Sequence, residues 1–334
     1  MAAAGIPSRL TSIVIPLYNA ERSIKDAIDS ALEQGAEGDR LIVVDDGSTD
    51  GSAKIVKAFG ARVRLISTPN GGASRARNTG LSYVTTRYVV FLDADDVYEG
   101  PIIASLEAVA EERDAEIAFG TLQNVEPDGT WAERELPPDP SEPDAFLIAW
   151  LGGQTVGTNS QLWRTDFLRA IGGWDERMKT REEIEHVARG ILKGARLAAS
   201  HVGTSLYRHT ENPNRVGYGS SEAVVRSAVD GWERLAMLAG DQPEVHRVLG
   251  RRIYDQARAA FRLGYKGLGR QALVRSRALG FHGDLGSPMH RRLVKLLGLE
   301  RKEAISRLVN AIAPQRNDRA SRRARRQKWS DRTS

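Results

Sequence analysis

The first hundred residues alternate short apolar runs with stretches of helical spacing. Ser12-Ile13-Val14-Ile15-Pro16, Leu41-Ile42-Val43-Val44, Val63 to Ile66 and Tyr88 to Leu92 each read as a buried strand. Between them, Ile24, Ala27, Ile28, Ala31 and Leu32 recur three and four apart and predict a helix over Ser23 to Gln34 that stops near Gly35. Thr49 or Asp50 is positioned to cap a second helix through Ile55, Val56 and Phe59, and Gly72 to Val84 reads as a third. Strands alternating with helices at this pitch predict a parallel sheet covered by helices.

The pattern then changes. Glu99 to Glu112 reads as a helix and Glu116 to Leu122 as a strand. Pro127-Asp128-Gly129 is a turn signal between antiparallel strands. A proline-rich loop over Leu136 to Pro143 leads to a short helix at Phe146 to Leu151. Gly157 to Arg164 reads as a strand and Thr165 to Ile171 as a helix ended by Gly172-Gly173. Glu182 to Lys193 is helical and Arg196 to Tyr207 extended. From about Ser220 onward the spacing is helical throughout, over Ala223 to Leu238, Val245 to Leu263 and Gly269 to Leu279. The expected organisation is an α/β domain over 10–215, a helical region over 220–315 and a basic tail over 316–334, too poor in apolar residues to pack. No fixed-period repeat suggests a solenoid.

Composition adds exclusions. With 41% hydrophobic residues in 334, a sizeable core is within reach. The absence of cysteine excludes disulfides, thiolate metal sites and cysteine nucleophiles. No apolar run nears the roughly 20 residues of a membrane span, and the start MAAAGIPSRL has no apolar signal-peptide core. The expectation is a cytoplasmic protein, soluble or at most peripheral at the inner membrane face. Charge divides unevenly: residues 1–200 carry a net −10 and residues 201–334 a net +15. An acidic front suits a cation-dependent site, and a basic rear suits an anionic partner. In the tail, Arg316, Arg319, Arg322, Arg323, Arg325, Arg326 and Lys328 precede Trp329, a combination suited to an anionic lipid surface or to plain solvation. It lacks the interleaved aromatics of nucleic-acid binders.

In a parallel sheet, ligands bind beyond the carboxyl ends of the strands. The polar residues cluster there: Pro16-Leu17-Tyr18-Asn19 after the first strand, Asp45-Asp46-Gly47-Ser48 after the second, and Asp93-Ala94-Asp95-Asp96 after the fourth. Five acids at neighbouring strand ends repel one another unless a cation or hydrogen-bond donors compensate. Hard oxygen ligands select Mg²⁺ or Mn²⁺, which would neutralise a diphosphate as a leaving group. The alternative is that these acids cap the following helices. A nucleotidyltransferase would need a glycine-rich, lysine-bearing loop after the first strand, where Leu17-Tyr18-Asn19-Ala20-Glu21 stands instead.

Taken in order, IVIPLYN (13–19), VVDDGSTD (43–50), NGGASRARNTG (70–80), FLDADD (91–96) and GGWDE (172–176) resemble the family-2 inverting glycosyltransferases of GT-A fold over roughly residues 10 to 210. The resemblance implies a mixed, mainly parallel sheet and a UDP-sugar or similar donor. It also implies a glycan, lipid-linked or other hydroxyl acceptor in cell-surface polysaccharide or glycoconjugate synthesis. Pro16, Tyr18, Asp46, Arg77, Asp93 and Ala94 would line the donor nucleotide, with Asp46 on the base imino group and Asp93 on the ribose. Asp95 would bind the metal, joined by His209. For Arg77 a buried ion pair with an aspartate is the alternative. The catalytic base falls on Glu183, where the family usually has Asp, with Glu182 and Glu185 as alternatives. The extra methylene shifts the carboxylate by about one C–C bond, a displacement to which near-attack geometry is sensitive; the alternative to catalysis is a nucleotide-sugar-binding scaffold. Trp163 and Trp174 read equally as an acceptor platform or as core.

Overall fold

The computed structural model describes residues 10–126, 130–209, 221–283, 285 and 287–312. The basic tail 316–334 and the Pro127-Asp128-Gly129 turn lie outside the described residues.

The chain begins with β1 (Thr11–Leu17), α1 (Ile24–Glu33), β2 (Gly38–Asp45), α2 (Ser52–Lys57), β3 (Val63–Ser67), α3 (Ala73–Tyr83) and β4 (Tyr88–Phe91). These are the alternating elements the apolar pattern predicts. The central strands are buried on both faces, as the unbroken apolar runs require: Ile13, Val14, Ile15, Leu41 to Val44 and Val89 to Phe91 are fully inaccessible. α3 lies close against β1 and β2 at Gly80, where a Cβ would stand 2.3 Å from Val14 Cγ1.

The middle of the chain carries β5 (Val97–Glu99), α4 (Ile102–Arg113), β6 (Ile117–Phe119), β7 (Leu122–Val125), β8 (Trp131–Glu135), α5 (Pro143–Gly152), β9 (Gln161–Arg164), α6 (Thr165–Ala170), α7 (Glu182–Leu192), β10 (Leu197–Ala199) and β11 (Thr204–Arg208). Seven strands form one sheet in the order β10-β6-β9-β4-β1-β2-β3, parallel except for β9, which runs antiparallel to β4 and β6. A second sheet takes the order β5-β11-β7-β8. The architecture is therefore α/β with a mainly parallel sheet.

Three expectations are corrected here. The helix read from Glu99 starts at Ile102, because Pro101 disfavours helical backbone in the residue before it and Val97–Glu99 pairs with β11. The single strand read over Glu116 to Leu122 is two strands in different sheets, with the chain crossing at Gly120 and Thr121. The extended run Arg196 to Tyr207 divides in the same way into β10 and β11. An apolar run records burial but not the sheet that supplies it.

The helices that follow are α8 (Glu222–Leu238), α9 (Pro243–Leu263), α10 (Lys266–Ala278), α11 (Pro288–Leu297) and α12 (Leu299–Ile312). The described residues fall into two compact units, one up to residue 209 together with 234–241, the other 221–233 together with 242–312. The first unit thus includes the last turn of α8. In the second, Ile253, Tyr254, Ala257, Ala260 and Phe261 of α9 are buried, as are Leu268 and Ala272 of α10. No helix among the described residues is long and apolar enough to cross a membrane.

Candidate active site

The site is assembled where β1, β2 and β4 end. Leu17 lies opposite Asp45 in the β1–β2 ladder, and Asp46 donates its amide to the Leu17 carbonyl at 2.8 Å. Asp45 and Asp46 are both buried and both bind backbone. Asp45 Oδ1 accepts from the Ser48 amide (3.0 Å), which shapes the turn out of β2. Asp46 accepts from the amides of Gly71 (2.8 Å) and Gly72 (2.8 Å) and so clasps the entry to α3. These two bonds leave lone pairs on both Asp46 oxygens, since a carboxylate accepts about four hydrogen bonds. Asn19, at φ 48°, accepts from the Thr49 amide (2.8 Å), which laces the β1 and β2 loops together. Pro16 is half-buried, and Tyr18 stands in solvent with 42% of its surface exposed.

Asp93 and Asp95 are half-buried, while Ala94 between them is buried. Arg77, buried on the second turn of α3, donates from Nη2 to Asp93 Oδ1 at 2.8 Å. Its Nη1 lies 3.5 Å from Glu182 Oε1, and its guanidinium covers the Trp174 ring at 4.5 Å. The buried ion pair that was the alternative for Arg77 is thus formed. Burial alone would lower the Arg77 pKa, but Asp93 and Glu182 raise it above its ordinary value, so the group is always charged. The third acid, Asp96, is buried; it accepts from Asn159 Nδ2 (2.9 Å) and from the Arg208 amide (3.0 Å). It fixes the end of β4 to β11.

Glu182, Glu183 and Glu185 occupy the first turn of α7, entered through Arg181 in left-handed conformation (φ 61°). Their environments separate them. Glu182 faces Arg77. Glu185 is buried and paired with Arg189 (2.8 Å), whose guanidinium also donates to the Ile171 and Gly173 carbonyls at 2.6 Å each. Among the described residues Glu183 has no ion pair of that kind. Burial pushes its carboxyl up to about 7, and the Glu182 charge adds to the rise, against the pull of its own backbone amide, Arg181 and Arg77. A carboxylate near neutrality is suited to take a proton at physiological pH.

The Gly172–Glu176 loop is held by Asn78, the residue after Arg77. Its Nδ2 donates to the Trp174 carbonyl (2.9 Å) and to Glu176 Oε1 (2.8 Å), and its Oδ1 accepts from the Trp174 amide (2.8 Å). Gly173 (φ 63°) leaves room for that contact, since a Cβ there would come within 2.6 Å of Asn78 Oδ1. Asp175 is held near pH 2 despite its burial, because Arg177 and Arg234 both bind its carboxylate. A cleft of about 450 Å³ opens beside this loop, lined by Asn78, Trp174, Asp175, Arg177, Arg189 and Arg234 among others; none of the strand-end acids lines it.

One expectation is corrected. Trp163 and Trp174 cannot serve as an acceptor platform: they are 0% and 2% exposed, and their rings enclose the His186 imidazole at 4.2 and 4.0 Å. Core packing is their role. His209 follows β11 directly and is half-buried. Its Nε2 lies 3.0 Å from Asn124 Oδ1, and among the described residues no three His, Asp or Glu groups converge on one point. The donor set at the strand ends still fits a divalent cation of a particular kind. Mg²⁺-like ions are commonly held by one or two carboxylates and complete their shell with substrate phosphates and water. Asp95, half-buried at the end of β4, is the residue that would supply such a ligand.

The sequence reading assigned no role of their own to Asn78, Asp96 and His186 and missed the pairing of Glu182 with Arg77. For Asn78 a signal existed, since it follows Arg77 on a helix and must face a neighbouring element. For the others the partners lie up to 112 residues away in the chain, and nothing local announces them.

Comparison with known proteins bears on the family and the fold. Residues 12–169 match the family described as Glycosyl transferase family 2. Glycosyltransferase GlyG of Streptococcus pneumoniae serotype 4 is 36% identical over 129 residues, 37% of this chain and 43% of GlyG, so the match spans less than half of that relative. Among solved structures, S. aureus TarS 1-349 in complex with UDP-GlcNAc superposes with a TM-score of 0.55 at 18% identity, covering 80% of this chain and 90% of that one. The mannosyltransferase PcManGT of Pyrobaculum calidifontis, solved with GDP-Man and Mn²⁺, gives 0.52 at 17% identity, covering 91% and 87%. At such identities the structural likeness speaks for the fold, and the sequence match for the family. Residues 12–169 thus belong to glycosyl transferase family 2, carried on a GT-A fold.

Proposed function

We propose that this protein is an inverting glycosyltransferase that moves a sugar from a nucleoside-diphosphate sugar, a UDP-sugar in preference, to a hydroxyl of a glycan or lipid-linked acceptor in cell-surface polysaccharide or glycoconjugate synthesis. The observation that carries the reading is Glu183. It is a partly buried carboxylate raised to about 7, on a helix end that Arg77 ties to the Asp93 strand end. Glu182 and Glu185 are each held by an arginine, which leaves Glu183 to act as base.

In this reading the donor base and ribose lie along Pro16, Tyr18, Asp46 and the Asp93-Ala94 backbone, with the Asp46 lone pairs not used by Gly71 and Gly72 available to a base imino group. Arg77 places Asp93. Glu183 takes the proton from the acceptor hydroxyl as that oxygen bonds the anomeric carbon, and the anomeric carbon–phosphate oxygen bond breaks on the opposite face. Inversion follows from that displacement. A divalent ion on Asp95 would supply charge neutralisation of the leaving diphosphate. Support for donor and metal comes from TarS, solved with UDP-GlcNAc, and PcManGT, solved with GDP-Man and Mn²⁺. The protein would act in the cytoplasm or at the inner membrane face.

Incubating the protein with Mn²⁺ and a panel of nucleotide sugars tests this. Release of UDP or another nucleoside diphosphate is expected, with Asp95→Ala lowering it by roughly 10²-fold or more, the scale of a lost electrostatic stabiliser. Normal turnover by Asp95→Ala would remove the metal assignment. Tight UDP binding with no turnover on any acceptor would leave a nucleotide-sugar-binding scaffold.

A further inference from the structure

The second unit carries a feature that sugar transfer does not use. On α11, Met289, Leu293 and Leu296 recur four and three residues apart, so they share one stripe about 60° wide. All three face solvent, at 66%, 36% and 79% exposure, while His290 and Val294, about 90° and 130° round the helix, are buried. Arg291, Arg292 and Lys295 are exposed along the same helix, which has no acidic residue. After Gly298 the pattern returns on α12 with Arg301, Ile305 and Leu308 at the same spacing, exposed at the surface together with Arg307. The two acids of α12 are neutralised within the fold. Glu300 is paired with Arg270 (2.8 Å), and Glu303 is fully buried against Arg262 (2.8 Å), Lys302 (3.2 Å) and Arg258 (3.4 Å). The exposed side of α11 therefore presents an aliphatic stripe with Arg292 at its edge and Lys295 and Arg291 farther round, on a helix without acidic residues.

We infer that the outer face of α11 is a docking surface for an anionic phospholipid bilayer. Protein interfaces draw their energy mainly from Trp, Tyr and Arg anchors seated in pockets. This face has Met and Leu instead, with Arg292 at its edge and Lys295 and Arg291 farther round the same exposed side. That is the composition of helices that lie in the membrane interface, with aliphatic groups sunk about 5–10 Å and cations held at the lipid phosphates. Charge complementarity selects an anionic leaflet over a neutral one. The inference concerns the second unit alone and does not rest on the sugar-transfer reading.

The test uses the full chain with vesicles of phosphatidylcholine alone or with 30 mol% phosphatidylglycerol, read by co-sedimentation. Binding to the anionic vesicles is expected to exceed binding to the neutral ones by tenfold or more and to weaken with salt. The triple substitution Met289→Ser, Leu293→Ser, Leu296→Ser changes no charge and is expected to reduce the partition coefficient at least tenfold. If it binds like the parent, the charged tail alone carries the contact and the inference falls. Because the chain has no cysteine, Leu296→Cys takes a single environment-sensitive label. Its emission is expected to shift blue only with anionic vesicles. A shift that appears without lipid and grows with protein concentration would show a second copy covering the face, and would overturn the assignment, as would the absence of any shift.

Discussion

Arg77 and Glu183 divide the work of the site between a fixed charge and a variable one. Arg77 cannot be discharged at any physiological pH, and Glu183 sits near the midpoint of its titration. A base must be deprotonated to act, so transfer is expected to rise with pH through about 7 and to level above it, read from initial rates between pH 5.5 and 8.5. Glu182→Gln removes the neighbouring charge that helps raise Glu183 and is expected to move that limb to lower pH, whereas Glu183→Gln is expected to cost roughly 10²- to 10⁴-fold at every pH. Replacing Arg77 by Met strands two carboxylates and is expected to cost about 3 kcal/mol in urea unfolding. The strand-end acids were legible in the sequence because strand ends are found from local apolar patterns. Their division of labour was not, because Arg77 meets Glu182 across 105 residues of chain.

At the level of elements, the buried face of α7 shows how the core limits the chemistry above it. His186 lies one turn below Glu183, fully buried between Trp163 and Trp174, and neither of its nitrogens has a well-formed hydrogen bond. Burial, with the charges of Arg189 and Arg77, holds its pKa well below the ordinary value. The unfolded chain therefore takes up a proton that the folded chain refuses. His186 is expected to cost stability as pH falls below about 6.5, by up to about 1.4 kcal/mol per pH unit, with no cost above it. Chemical denaturation of the parent and of His186→Phe at pH 5 and pH 7.5 measures this, and the variant should lose less between the two. The sequence located α7 to within a residue at each end, since its apolar spacing is local. It did not reveal the aromatic sandwich, because Trp163 comes from β9 and Trp174 from a loop, and only the sheet order brings them to the same histidine.

For the whole molecule, the two units make different demands. On the proposed reading the first binds through strand ends and should be stabilised by its ligand. With UDP and Mn²⁺ at about 100 times the dissociation constant, linkage adds about 2.7 kcal/mol, a rise of roughly 5–10 °C in its unfolding midpoint by calorimetry. The mainly parallel sheet was predictable from the alternation of strands and helices. The short strands β5, β6, β7, β10 and β11 were misjudged because each is only three to five residues long, too short for a period to declare itself. Arg77 has a last consequence, which concerns how such a protein can change over generations. Its side chain is shared by the segment that ends β4 and the segment that opens α7, so an alteration in one is judged by its effect on the other. Variation at Asp93 and Glu182 should therefore be epistatic. Libraries that randomise either position alone should return mostly inactive clones, and libraries that randomise both should recover pairs in which each substitution is tolerated only in the company of the other.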